Sequence, residues 1–232
     1  MSQLRFLSPS IETIRQALSE PLPGIAGQIK MAPQPRVGQM TRWDRPDNYR
    51  EASVLLLLYP HLTCGLATPE LHLILIRRPE YPGAHSGQIS MPGGRREGDE
   101  SLQCTALREA YEEVGLPPVA VEIIGPLSPL YTPPSNFYIY PFVGYCPSRP
   151  VFQPDAKEVA ELIEAPLSLL LNPATQLEEI RFFPDYGERR VPFFDVFGHR
   201  VWGATAMILN EFLTLLQSVV PTPDNPLTNL AA

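Results

Sequence analysis

Two hydrophobic periods divide this chain. Continuous aliphatic runs at 53–59, SVLLLLY, and 71–77, LHLILIR, are each bounded by charge or proline and predict strands buried on both faces. Residues 8–20, SPSIETIRQALSE, set Ile11, Ile14 and Leu18 at helical spacing behind a serine cap, so a short amphipathic helix is expected there. The stretch 21–52 is rich in Pro, Gly and Arg and keeps no period; it reads as an ordered arm or connecting loop, not a core element. A Gly-rich turn at Gly93 and Gly94 leads to a helix from about Ser101 to Val114, stopped by Gly115 and the prolines beyond it.

Later segments continue both periods. VEIIGPLSPLY at 121–131 and NFYIYPFVGYC at 136–146 predict strands bent or edged by proline. DAKEVAELIEAPLSLLL at 155–171 is helix-like until Pro166, RRVPFFDVFGHRVWG at 189–203 predicts a closing hairpin, and ATAMILNEFLTLLQSV at 204–219 predicts a strong amphipathic helix. The tail, 221–232, is expected to fray.

Composition narrows the function classes. With 232 residues, 44% hydrophobic and 9% aromatic, the chain suffices for one well-buried domain. Eighteen basic against 25 acidic residues leave a net charge of −7, which argues against nucleic acid or an anionic membrane as main partner. Cys64, Cys104 and Cys146 are odd in number and form no CxxC pair, so neither a disulfide framework nor a zinc site is expected. Buried, inert cysteines and a cytoplasmic location follow. The start lacks a secretory signal, and the longest apolar run, ASVLLLLYP, is too short to span a bilayer.

The chemistry concentrates in residues 91–116, MPGGRREGDESLQCTALREAYEEVGL. On a helix Glu109, Glu112 and Glu113 fall within an arc of roughly 100°, while Ala106, Leu107, Ala110 and Val114 occupy a separate arc. Like charges at these spacings cost a few tenths of a kcal/mol each, roughly, and more in a cleft. A divalent cation with hard oxygen ligands, Mg²⁺ or Mn²⁺, would remove that cost. Arg108 can pair with Glu112 one turn on and orient its carboxylate. For EAYEE alone, a solvated helix face is the commoner reading.

Gly94, Glu100, Arg108, Glu109, Glu112, Glu113 and Gly115, with Ala110 and Leu116 at the apolar positions, resemble the Nudix box, G-x5-E-x7-R-E-U-x-E-E-x-G-U. The resemblance implies an α/β fold, the Nudix α/β/α sandwich with a mixed sheet, the box helix on one face and the C-terminal helix among those covering the other. It also implies an enzyme that hydrolyses the diphosphate bond of nucleoside diphosphate derivatives with Mg²⁺ or Mn²⁺. Glu109 and Glu113 would be the primary metal ligands, Glu112 sharing or bridging, and the Gly93 carbonyl a further ligand. Glu109 could also position the water. Gly94 lets the loop approach the helix closely, and Glu100 with Arg108 holds the loop–helix–loop geometry.

The substrate is addressed upstream. Residues 73–94, LILIRRPEYPGAHSGQISMPGG, resemble the motif preceding the box in coenzyme A pyrophosphatases through Leu75, Arg78, His85, Gly87, Gln88, Ile89 and Pro92-Gly93-Gly94. Two positions depart from it: Pro82-Gly83 stand where the motif has Leu-Arg, and Met91 where it has Phe. The resemblance implies cleavage of CoA or acyl-CoA to 3′,5′-ADP and (acyl-)4′-phosphopantetheine. The alternatives are an ADP-ribose, NADH or nucleotide-sugar pyrophosphatase, or a non-catalytic nucleotide-sensing module.

Arg78, His85 and Gln88 are the candidate substrate-binding residues. Of Arg77 and Arg78, one pairs with a local carboxylate and the other is free for phosphate; His85 serves either substrate or a loop hydrogen bond. Ser135 and Asn136 read as turn formers and Trp202 as core packing. Glu158 is preferred over Glu161 as an extra acidic residue, against the plain reading of both as a solvated helix face. The chain divides into an N-terminal helix and arm (1–30), a Nudix domain (31–220) and a tail (221–232). Its partner would be a small-molecule nucleotide, and its assembly a monomer or homodimer.

Overall fold

A computed structural model of the protein describes residues 9–33, 46–63, 67–81, 85–183 and 187–219. Cys64, the Pro82-Gly83 departure and the predicted fraying tail lie outside them. The first described element, α1 (Ile11–Ser19), is capped by Ser10, whose side chain accepts from the Thr13 amide. A short helix α2 (Ile25–Gln28) follows. The long strand β1 (Arg50–His61) and β2 (Glu70–Arg77) form where the aliphatic runs predict strands. After β3 (Ile89–Ser90), β4 (Gly93–Arg95) occupies the expected glycine turn as a short strand antiparallel to β1, with Val54 opposite Gly93.

Helix α3 (Leu102–Val114) starts at the Ser101 cap and ends on left-handed Gly115, as the sequence predicts. Strands β5 (Glu122–Pro126), β6 (Leu130–Thr132) and β7 (Phe137–Tyr145) complete the bent region, Asn136 taking the left-handed turn before β7. β7 runs parallel to β1 through nine register pairs, Arg50↔Phe137 to Leu58↔Tyr145, whereas β2 pairs β1 antiparallel, so the sheet is mixed.

Three segments differ from expectation. Residues 161–166 form a strand, β8 (Glu161–Pro166), antiparallel to β2, and the helix α4 (Leu167–Leu171) begins after Pro166 instead of ending there. Proline is tolerated at a strand end and ahead of a helix, and the β2 edge supplies the partner that local periodicity cannot announce. The predicted hairpin, β10 (Gly187–Val196) and β11 (His199–Trp202), gains a third strand on its other side, β9 (Gln176–Phe183). The stretch read as an arm contributes to the core: Gln28, Met31 and Ala32 are buried.

Alternation along β1 and β2 builds two cores. Leu55, Leu57, Tyr59, Ile74 and Ile76 face Ala106, Ala110 and Val114 of α3. Leu56, Leu58, Leu73 and Leu75 face the opposite layer, which includes α5 (Gly203–Val219) and residues of α1 and the three-stranded sheet. This is the α/β/α sandwich with a mixed sheet. Among the described residues, no helix is long and apolar enough to cross a membrane.

A buried carboxylate joins the N-terminal segment to α5. Glu211 is fully buried and accepts from the Gly24 amide at 3.1 Å, Gln28 Nε2 at 2.8 Å and the Ser128 amide at 3.2 Å. Removing the acceptor strands the Gly24 and Ser128 amides and leaves Gln28 Nε2 with only its bond to the Ser128 carbonyl. Glu211→Ala is therefore expected to lose about 3 kcal/mol in urea unfolding; a midpoint matching wild type would contradict this account of how residues 24–28 are held.

Candidate active site

The loop entering α3 is fixed at two glycines. Gly93 has φ 154°, and a Cβ there would collide with the Ser53 carbonyl and the Val54 backbone of β1; one on Gly94 would collide with the Glu109 carboxylate. With no side chains intervening, the Gly93 amide donates to Glu113 Oε2 at 2.8 Å. The loop is thus pinned to the last turn of α3 across a distance that any side chain would open.

Arg108 organises the rest of the box. Its Nε and Nη2 donate to the two oxygens of Glu100 at 3.1 and 2.9 Å, Nη1 donates to Glu109 at 3.0 Å and to Glu112 at 2.8 Å, and Nη2 also reaches the Arg95 carbonyl at 3.0 Å. Glu100 additionally accepts from the Glu97 amide and the Thr105 hydroxyl. The Arg108 guanidinium, first, holds the Glu100 carboxyl down at about 2. Glu100 and Arg108 thus clamp the loops around the helix and leave Glu109 and Glu113 to face the site.

The three box glutamates do not share one environment. Glu112 has a half-exposed side chain paired with Arg108, Glu109 is largely covered, and Glu113 is 1% exposed. Burial raises the Glu109 carboxyl, with Glu112 and Glu158 adding to the rise against Arg108. Burial pushes Glu113 up to about 8, opposed by Arg78 and the Gly93 amide and assisted by the charges of Glu109 and Glu158.

Glu158 owes its place to a backbone seam. The Gln153 amide donates to Val114 O and the Asp155 amide to Glu113 O, both at 2.9 Å, and the Glu158 amide closes a turn on Asp155 O at 3.0 Å. It therefore stands on a turn docked at the end of α3, not on the helix face expected from the sequence. Glu161 lies elsewhere, paired with Arg77 at 2.9 Å and with His199 at 3.3 Å.

Adjacent arginines at the end of β2 point to opposite faces. Arg77 takes the carboxylate partner, Glu161. Arg78 Nη2 donates to the Gly93 carbonyl at 3.3 Å and lies 3.7 Å from Glu113 Oε1, which brings it to the box glutamates. His85 (φ 68°) and Gln88 are tied together, Nδ1 to Oε1 at 3.0 Å, in a turn that continues β2 through a bond from the Arg78 amide to Gln88 O. Gln88 also lines a cleft with Arg181, Arg200 and His199, which sequence reasoning missed. Trp202 borders that cleft and is not core; the available signal was the Arg200/Trp202 alternation, which puts both on one strand face. Cys146 is buried as expected, but Cys104 is exposed on the outer side of α3.

The donor set suits a hard divalent cation: carboxylates of Glu109, Glu113 and Glu158 beside the Gly93 carbonyl, with Glu109 and Glu113 raised by burial first and by neighbouring like charge after it. Among the described residues, no three acidic side chains converge to ligating distance in this conformation. The Arg78 guanidinium lies instead against two of those donors, Gly93 O and Glu113.

A mixed sheet carrying a glycine-pinned loop and an acid-rich helix braced by Glu100 and Arg108 defines a Nudix-type hydrolase. The NUDIX domain family model matches residues 62–186. The chain is 34% identical over 176 residues to an uncharacterized Nudix hydrolase, NudL, of Photorhabdus laumondii, covering 74% of this chain and 87% of that one. It is likewise 34% identical to NudL of Yersinia pestis strain Pestoides F, covering 70% and 77%. A MutT protein of known structure from Methanosarcina mazei Go1 is 17% identical over 73% of this chain and 94% of its own, with a TM-score of 0.44. The chain belongs to the Nudix hydrolase family, enzymes that generally use divalent metal ions such as Mg²⁺.

Glu113 makes the metal-free protein pH-sensitive. Its folded carboxyl titrates near 8, above the ordinary 4.5, so the folded state keeps a proton that the unfolded chain has lost. Stability should fall as pH rises from about 5 to 8. In EDTA the melting midpoint should drop across that window, and Glu113→Gln should remove most of the drop; an equal drop in the variant would refute the assignment.

Proposed function

We propose that this enzyme hydrolyses the diphosphate of CoA or an acyl-CoA, giving 3′,5′-ADP and 4′-phosphopantetheine or its acylated form. The observation that carries the hydrolytic site is the placement of Glu109, Glu113 and Glu158 at the end of α3, where burial raises the carboxyls of Glu109 and Glu113 and the Glu158 charge adds to both. The substrate choice rests on residues 73–94, whose His85–Gln88 turn is joined to the β2 end by the bond from the Arg78 amide to Gln88 O.

In this reading Glu109, Glu113, Glu112 and the Gly93 carbonyl would hold the cation, with Glu158 as the additional acidic residue. Mg²⁺ or Mn²⁺ bound there would supply charge neutralisation for the diphosphate and lower the pKa of an attacking water. Arg78 leaves Gly93 O and Glu113 and turns to a phosphate oxygen, as a guanidinium suits phosphate at least as well as a carbonyl. Glu109 positions the water and accepts its proton. The oxygen adds to one phosphorus, the bridging P–O bond breaks, and the leaving phosphate takes the bonding pair. Arg108 touches no substrate; it fixes the carboxylates of Glu109 and Glu112 and so acts as a positioning residue.

A panel of CoA, acetyl-CoA, ADP-ribose, NADH and diadenosine polyphosphates with Mg²⁺ and Mn²⁺ tests both levels. CoA should be cleaved fastest, and Glu109→Gln and Glu113→Gln should each lower kcat on the order of 10²–10³-fold. Cleavage indifferent to both substitutions, or no cleavage at all, would sink the hydrolytic site. ADP-ribose outpacing CoA would remove the substrate choice alone.

A further inference from the structure

On the opposite face of the β2 end from Glu113 lies a cleft of about 360 Å³. Its walls include Arg77, Arg181, Arg200 and His199, with Trp202 behind and the segment Ser86 to Ile89 along one side. Four cationic or ionisable groups around one concavity repel one another unless something anionic answers them.

Two glutamates answer them in part. Glu179 bridges Arg181, bonded through Nε at 3.0 Å and through Nη2, and Arg200, whose Nε lies 3.0 Å away. Glu161 bridges Arg77 Nε at 2.9 Å and His199 Nε2 at 3.3 Å. Three guanidiniums against two carboxylates leave one positive charge in excess, and two when His199 is protonated.

The manner of pairing matters as much as the count. Arg77 and Arg200 are held through Nε, and among the described residues their terminal nitrogens have no hydrogen-bond partner. Arg181 is laid over the Trp202 ring, its Cζ 4.4 Å from the centroid, which fixes the plane of the guanidinium. Oriented planar donors with unused N–H groups suit a tetrahedral dianion, which accepts several such bonds at once.

We propose that this cleft binds a phosphomonoester of the ligand, separate from the diphosphate that is cleaved. The proposal rests on the CoA reading for the identity of that group, the 3′-phosphate of the adenosine moiety, and on the cleft itself for its chemistry. Arg77 and Arg78, about 3.8 Å apart at Cα, then serve two phosphate sites on either side of one strand end. The His85–Gln88 turn lies between them, since Gln88 bonds the Arg78 amide and also lines the cleft.

Calorimetry with adenosine 3′,5′-bisphosphate and 5′-AMP on the full chain tests the cleft without requiring turnover. Wild type should bind the bisphosphate about tenfold or more tighter than AMP, and Arg181→Gln/Arg200→Gln should bring the two affinities together. Arg15→Gln, on α1 where the guanidinium pairs with Glu122 and not with any cleft residue, should keep the wild-type ratio. If the double variant fails to fold, Arg200→Gln is read alone, since its side chain is 61% exposed and its loss leaves the core intact. A wild-type ratio near one, or a ratio unmoved by losing Arg200, overturns the proposal. Discrimination without CoA hydrolysis would uphold the cleft and remove the CoA reading; CoA hydrolysis without discrimination would do the reverse.

Discussion

Everything at the site depends on the hydrogen bond from the Gly93 amide to the buried Glu113 carboxylate. A buried carboxylate is costly unless donors or cations compensate it, and here one backbone amide and a guanidinium at 3.7 Å do so incompletely. That shortfall leaves Glu113 with a carboxyl near 8 and gives the site its appetite for positive charge. The contact also ties the loop to α3, while the pairing of Gly93 and Gly94 with Val54 and Ser53 ties it to β1.

The strand β2 distributes the chemistry that surrounds this bond. Its even positions, Ile74 and Ile76, pack toward α3, and Arg78 continues that face to the box glutamates. Its odd positions, Leu73 and Leu75, pack toward α5, and Arg77 continues that face into the arginine-lined cleft. One strand end thus carries two arginines with different partners and different tasks. Arg108 plays a third part, converting three carboxylates that would repel one another into a fixed frame around the helix.

Much of this was legible in the sequence where the information was local. The aliphatic runs announced β1 and β2, and the Ser101 cap and Gly115 stop framed α3, because caps and periods act within a few residues. Glu113 was legible as acidic but not as buried: on the helical wheel it lies beside Ala106, at the edge of the apolar arc, so closing the loop covers it. Strand β8 was misread because DAKEVAELIEA has helical spacing, while the edge of β2 that captures it lies about 85 residues upstream. Arg181 and His199 gave no readable signal, and Arg200 only its alternation with Trp202, since the folding of β9–β11 against the His85–Gln88 turn is what brings them together.

In the proposed reading Glu113, held by Gly93, is part of a divalent-cation site. Electron paramagnetic resonance of free Mn²⁺ during titration with the protein tests it directly, independent of any substrate. Wild type should deplete the free-ion signal and Glu113→Gln should deplete it far less at equal concentration. Equal depletion by both proteins would contradict the account.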